Sequence, residues 1–189
     1  TLIKSKKNME KLNQLKKPLS GDYLEVREGR GGYQGYKKLL IYKDARADMN
    51  ILDNVVGSNN WQRKHYEVKG NLFCSVGIYD EEKSAWIWKD DAGAPSTFEK
   101  EKGESSDSFK RACTNWGIGR ELYSDAYKNI TVKVQDKESL FGWSVVNHIE
   151  KINGKETVTA VGIIDTNGNT RFKKVMDSKS GKWIKAKTQ

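Results

Sequence analysis

The run Ser105 to Tyr123, SSDSFKRACTNWGIGRELY, constrains this chain more than any other stretch. Phe109, Cys113 and Trp116 recur at i, i+4 and i+7, the spacing that puts three apolar side chains on one helical face. Gly117 follows at once and supplies the left-handed residue that stops a helix. Lys110 and Arg111 then point away from the buried face. The spacing predicts a long helix from about Phe98 to Trp116, anchored on one side and carrying adjacent cations on the other.

A second helix is predicted just as locally. Asp44 is a suitable N-cap, Ala45, Met49, Leu52 and Val56 form the apolar stripe, and Gly57 ends it. Between these helices three strands are expected. They are Trp61 to Val68, Leu72 to Tyr79 after a Lys69-Gly70-Asn71 turn, and Ala85 to Lys89 after the acidic turn Asp80-Glu81-Glu82. Short turns join antiparallel neighbours. Upstream, residues 4–17 read as a basic helix stopped by Pro18. Tyr23 to Arg27 and Tyr36 to Tyr42 read as strands around the glycine-rich EGRGGYQG, a bent hairpin.

The fold class is α+β. A β-β-α-β-β-β-α core forms one antiparallel sheet with helices on one face, spanning residues 1–127. Residues 128–189 form a basic, β-rich extension. In it, Asn153-Gly154 and Asn167-Gly168 mark two hairpins, and Lys179 to Gln189 is expected to be disordered.

Charge adds a partner class. The chain has 189 residues and a net charge of +9, distributed as +7 over residues 1–70, −4 over 71–127 and +6 over 128–189. Two basic regions flanking an acidic middle suit a polyanion, although good solubility alone would also account for them. No apolar run approaches the ~20 residues of a membrane span, and no signal-peptide pattern is expected, so the location is read as cytoplasmic. Cys74 and Cys113 read as buried free thiols.

Catalytic and cofactor signatures are missing. His65 and His148 stand far apart in sequence, without metal-ligand spacing, and neither cysteine has a CxxC partner. Gly117-Ile118-Gly119 follows a helix rather than a strand, and Gly29 to Gly32 lacks the following Gly-Lys-Ser/Thr of a phosphate loop. No cofactor and no metal are expected. The acids Asp80, Glu81, Glu82, Asp90 and Asp91 leave a magnesium-dependent nuclease as an alternative to solvated turns.

Taken together, DARADMNILDNVVGSNNW (44–61), the meander after it and SDSFKRACTNWGIGRELY (106–123) resemble the Rad52 single-strand annealing family, above all its bacteriophage Sak-type recombinases. The resemblance spans about residues 23–127. It implies a ring-forming or filament-forming homo-oligomer that binds single-stranded DNA in a basic groove with the bases exposed. It implies annealing without ATP in phage homologous recombination, beside a single-strand-binding protein and an exonuclease in the bacterial host. It places the groove cations on Lys110 and Arg111 and an Arg of the first strand on Arg27. Where some members carry a further basic residue, this chain has Thr114.

The hairpin's own cations, Arg30, Lys37, Lys38 and Lys43, join the candidate DNA-binding set. For Arg111, Asp107 four residues earlier is a competing partner, and Lys37 and Lys38 read equally as solvated strand residues. A general single-strand-binding protein that protects without annealing is the other binding alternative.

Overall fold

The computed structural model describes residues 2–94, 100–135 and 137–186. It is α+β, with three helices and three antiparallel sheets among the described residues. The chain divides into two compact units, residues 1–17 with 44–119 and residues 18–43 with 120–189.

The first unit contains α1 (Leu2–Gln14), α2 (Ala45–Val56), the meander β3 (Trp61–Val68), β4 (Asn71–Asp80) and β5 (Ala85–Ala92), and α3 (Lys100–Trp116). The local signals act as expected. The Asp44 carboxylate accepts the Arg46 N–H at 2.6 Å, and Gly57 ends α2 with its N–H on the Asp53 carbonyl. Lys69 and Gly70, both at positive φ, form the two-residue turn between β3 and β4. The expected start of α3 near Phe98 lies outside the described residues.

At the other end of α3 the Gly117 N–H bonds the Thr114 carbonyl and the Ile118 N–H bonds that of Cys113. Those two bonds are a Schellman cap, and Gly117 holds φ 112° to make it. α3 lies on β4 and β5. Its buried Phe109, Ala112, Cys113 and Trp116 meet Cys74, Val76 and Ile78 of β4, and the Trp116 indole donates to the Val76 carbonyl at 2.9 Å.

The second unit pairs β1 (Leu24–Glu28), β2 (Tyr36–Lys43) and β6 (Ile130–Lys133) in one sheet, order β1-β2-β6. Its other sheet, order β10-β9-β8-β7, comprises β7 (Ser144–Ile152), β8 (Lys155–Ile164), β9 (Thr170–Met176) and β10 (Trp183–Lys185). Within this unit β1 lies against β7 and β6 against β9. The core is Leu24, Leu39, Ile130, Val132, Val145, Val161, Ile163 and Phe172.

Three expectations are corrected here. The first hairpin does not extend the meander's sheet, because the free edge of β2 is taken by β6, more than 85 residues downstream. Trp183–Lys185, expected to be part of a disordered end, pairs with β9 as β10. Asn167-Gly168 lies in a longer loop in which the Asp165 carboxylate accepts the Asn167 and Asn169 N–H groups, whereas Asn153-Gly154 makes the expected two-residue turn with both φ positive.

Candidate nucleic-acid interface

The candidate cations divide between the two units. In the first unit, Lys110 and Arg111 are neighbours on α3, and both have acidic company. The Arg111 guanidinium donates from Nε to Asp91 Oδ1 at 3.2 Å and remains 44% exposed. Lys110 is half-buried beside the N-terminus of α2. There the Asp44 carboxyl is held below the usual carboxylate range, chiefly by its hydrogen bond to Arg46, with Lys110 adding to the effect. Asp107, the expected competitor for Arg111, accepts the Ala94 N–H at 2.9 Å. Thr114 turns its hydroxyl onto the Lys110 carbonyl at 3.0 Å.

Other cations of this unit are spent on rings. Arg63 lies 4.5 Å over Phe109, Lys64 4.5 Å over Trp88, and Lys89 4.5 Å over Trp116 with its ammonium on the Asn115 carbonyl. That last bond places a positive charge at the negative end of α3.

In the second unit, strand alternation sorts the hairpin cations. Residues paired across an antiparallel ladder share a face. Leu24, Val26 and Glu28 of β1, Lys37, Leu39, Ile41 and Lys43 of β2, and Ile130 and Val132 of β6 therefore line the core side. Arg27, Lys38, Leu40, Tyr36, Tyr42, Thr131 and Lys133 line the open side. Lys43 is accordingly only 4% exposed and sits beside Glu121, whose carboxyl is raised chiefly by burial. Lys43, expected among the DNA-binding cations, is thus buried on the core side rather than presented on the open side of the sheet. Lys37 is drawn to the Glu28 carboxylate at 3.0 Å and to the Glu138 carbonyl at 3.0 Å.

Arg27 and Lys38 face outward, and neither has a carboxylate partner among the described residues. Arg27 only overlies the Tyr42 ring, 5.3 Å from its centroid, while the Tyr42 hydroxyl donates to Glu25 at 2.6 Å. Arg30 stands exposed in the glycine loop. That loop folds back so that Tyr33 and Tyr36 stack at 4.7 Å, with Gly35 at φ 76° between them.

Sequence reasoning missed Lys133. The segment ITVK reads as a strand, and its alternation places Lys133 on the same side as Thr131. Only its pairing with β2, Tyr36 opposite Lys133, brings that side to the hairpin's open face.

The acidic loops do not converge. Asp90 and Asp91 are consecutive on β5 and point to opposite faces. Asp90 accepts the Ser75 hydroxyl, while Asp91 takes Arg111 and the Asn115 amide. Asp80 caps its own turn through the Glu82 and Lys83 N–H groups. Among the described residues no group of three or more His, Cys, Asp or Glu could hold a metal ion. None of the described helices is long and apolar enough to cross a membrane.

Comparison with known proteins adds one strong likeness. The profile of the Rad52/22 family double-strand break repair protein matches residues 8–141, well over half of the chain. No curated protein matches. Among solved structures, a protein of unknown function from Bacteroides fragilis aligns at 10% identity over 88% of this chain and 90% of its own, with a TM-score of 0.20, too low to bear on the fold.

Proposed function

The chain belongs to the Rad52/22 family of double-strand break repair proteins, and on that premise we propose that it binds single-stranded DNA and anneals complementary strands without ATP. At family level the activity is DNA repair and recombination by single-strand annealing, carried by binding proteins rather than enzymes. The finer reading places this chain in phage recombination in the bacterial cytoplasm. It acts as a ring or filament of identical subunits, beside a single-strand-binding protein and an exonuclease.

The observation that carries this reading is the family match across residues 8–141, which takes in both cation-bearing segments. Physical chemistry supports it. Lys and Arg contacts to phosphates bind any sequence and release counterions, so they hold a strand without reading it. Bases left free can pair with a second strand, and holding the first strand extended lowers the entropic cost of that pairing. Many weak sites around an oligomer add avidity. Nothing in this scheme requires a covalent step. Arg111 reaches a phosphate by exchanging Asp91, an exposed pair of a kind worth only ~0–1 kcal/mol.

The test is an annealing assay with complementary oligonucleotides, purified protein and no nucleotide, read beside oligomer mass with and without single-stranded DNA. Faster duplex formation is expected. Tight binding with unchanged annealing would leave only a protecting role. Magnesium-dependent cleavage abolished by replacing Asp90 and Asp91 would favour the nuclease.

A further inference from the structure

The open face of the β1-β2-β6 sheet carries a geometric regularity. Arg27 lies opposite Leu40, and Lys38 is two residues along β2 from Leu40. Lys38 lies opposite Thr131, and Lys133 is two residues along β6 from Thr131. Each step therefore crosses one strand and advances two residues in the same direction. With strands ~4.8 Å apart and a rise of ~3.4 Å per residue, each step is about 8 Å, so the three cations form a straight diagonal with equal spacing.

Arg27, Lys38 and Lys133 have no carboxylate partner among the described residues, whereas Lys37, on the opposite face, is paired with Glu28. Acids are sparse on the open face, where Glu25, two residues along β1 from Arg27, is bonded to Tyr42. The remaining open-face neighbours are uncharged: Thr131 is half-buried, Leu40 is 43% exposed, and the stacked Tyr33 and Tyr36, 63% and 37% exposed, flank the Lys133 end. Three like charges held at fixed spacing repel one another and favour a polyanion.

We propose that a single strand of DNA crosses β1, β2 and β6 along this diagonal, with successive phosphates gripped by Arg27, Lys38 and Lys133. This rests on the single-strand-binding reading and specifies the strand's path. The straightness of the line favours a single strand, because successive phosphates of a stretched strand can run along a line whereas those of a duplex strand wind about the helix axis. Lys133 thereby becomes a DNA-binding residue, and Lys38 is distinguished from its neighbour Lys37.

The experiment titrates the full-length protein with fluorescent oligothymidylate over a range of salt. The variants are Lys38→Ala, Lys133→Ala, their double, Lys133→Arg and Lys37→Ala, each checked by far-UV circular dichroism. Removing one cation from a phosphate of a single strand lowers the slope of log K against log salt by ~0.7. Each single alanine variant is expected to show that reduction and the double twice as much, while Lys133→Arg and Lys37→Ala keep the wild-type slope. Folded Lys38→Ala and Lys133→Ala proteins with the wild-type slope would overturn the path. An equal fall in Lys37→Ala would overturn it too, since net charge rather than position would then set the slope. Should Lys133→Ala not fold, Lys133→Gln replaces it under the same criterion. Wild-type protein that ignores oligothymidylate altogether would instead defeat the single-strand-binding reading itself.

Discussion

Two adjacent lysines show how much a single position matters. Lys37 and Lys38 are alike in sequence and both half-buried, yet one is paired with Glu28 at the core side of its sheet and the other lies on the open side without a carboxylate partner among the described residues. Lys110 and Arg111 are a subtler pair, because their acidic neighbours Asp44 and Asp91 must be exchanged for phosphate. Lys110→Ala and Arg111→Ala are each expected to weaken single-strand binding several-fold, with the melting temperature of Arg111→Ala close to wild type, since its exposed pair with Asp91 contributes little to stability. Unchanged affinity in both, measured by oligonucleotide titration, would remove α3 from the interface.

Cys74 gives a prediction in pH. Burial pushes its thiol up to about 11 from an ordinary 9.0, with Asp90 adding to the rise and Arg63 opposing it. The unfolded chain thus releases this proton first as pH climbs. Stability from the neutral buried thiol is complete below about pH 9 and is lost as pH approaches 11, by at most ~1.4 kcal/mol per unit. Denaturation midpoints should fall less between about pH 8 and about pH 10 in Cys74→Ala than in wild type. Native Cys74 should also resist thiol reagents at about pH 8; rapid labelling would contradict its burial.

At the scale of elements, caps and turns act locally and are legible in the sequence. Asp44, Gly57 and Gly117 bound their helices where side-chain chemistry and φ require. Gly77 has a role that no local signal gives. It is opposite Trp88 in the ladder, and a Cβ there would stand 2.8 Å from the indole ring, which lies flat on the sheet. Gly77→Ala should therefore displace Trp88 and its contact with Lys64. The expected cost is ~1–3 kcal/mol, as for other overpacked sites, read by chemical denaturation with a change in tryptophan fluorescence. An unaltered midpoint and spectrum would show that the ring can shift freely.

At the scale of the whole molecule, compactness does not follow chain order. Residues 18–43 fold with 120–189, and β6 completes the hairpin's sheet. A chain ending at Tyr127 loses that strand together with β7 to β10, and so loses the cover over Leu24 and Leu39. It is expected to show reduced strand content by circular dichroism and no cooperative unfolding of residues 18–43. A fully folded hairpin in that fragment, seen as protected amides of β1 and β2 in hydrogen exchange, would refute this.

The amino-acid sequence by itself determined what depends on neighbours a few residues apart. That includes the apolar stripes of α2 and α3, their caps, the meander turns and the Asn153-Gly154 hairpin, together with the family likeness lodged in residues 44–61 and 106–123. Tertiary structure alone decided which strand edge β2 would share, and with it that Lys43 is buried and that Lys133 joins Arg27 and Lys38. The physical reason is range. Caps and periodicity are settled by bonds within a few residues, whereas sheet partners separated by some ninety residues are chosen by which pairing buries Leu39, Ile130 and Val132 together.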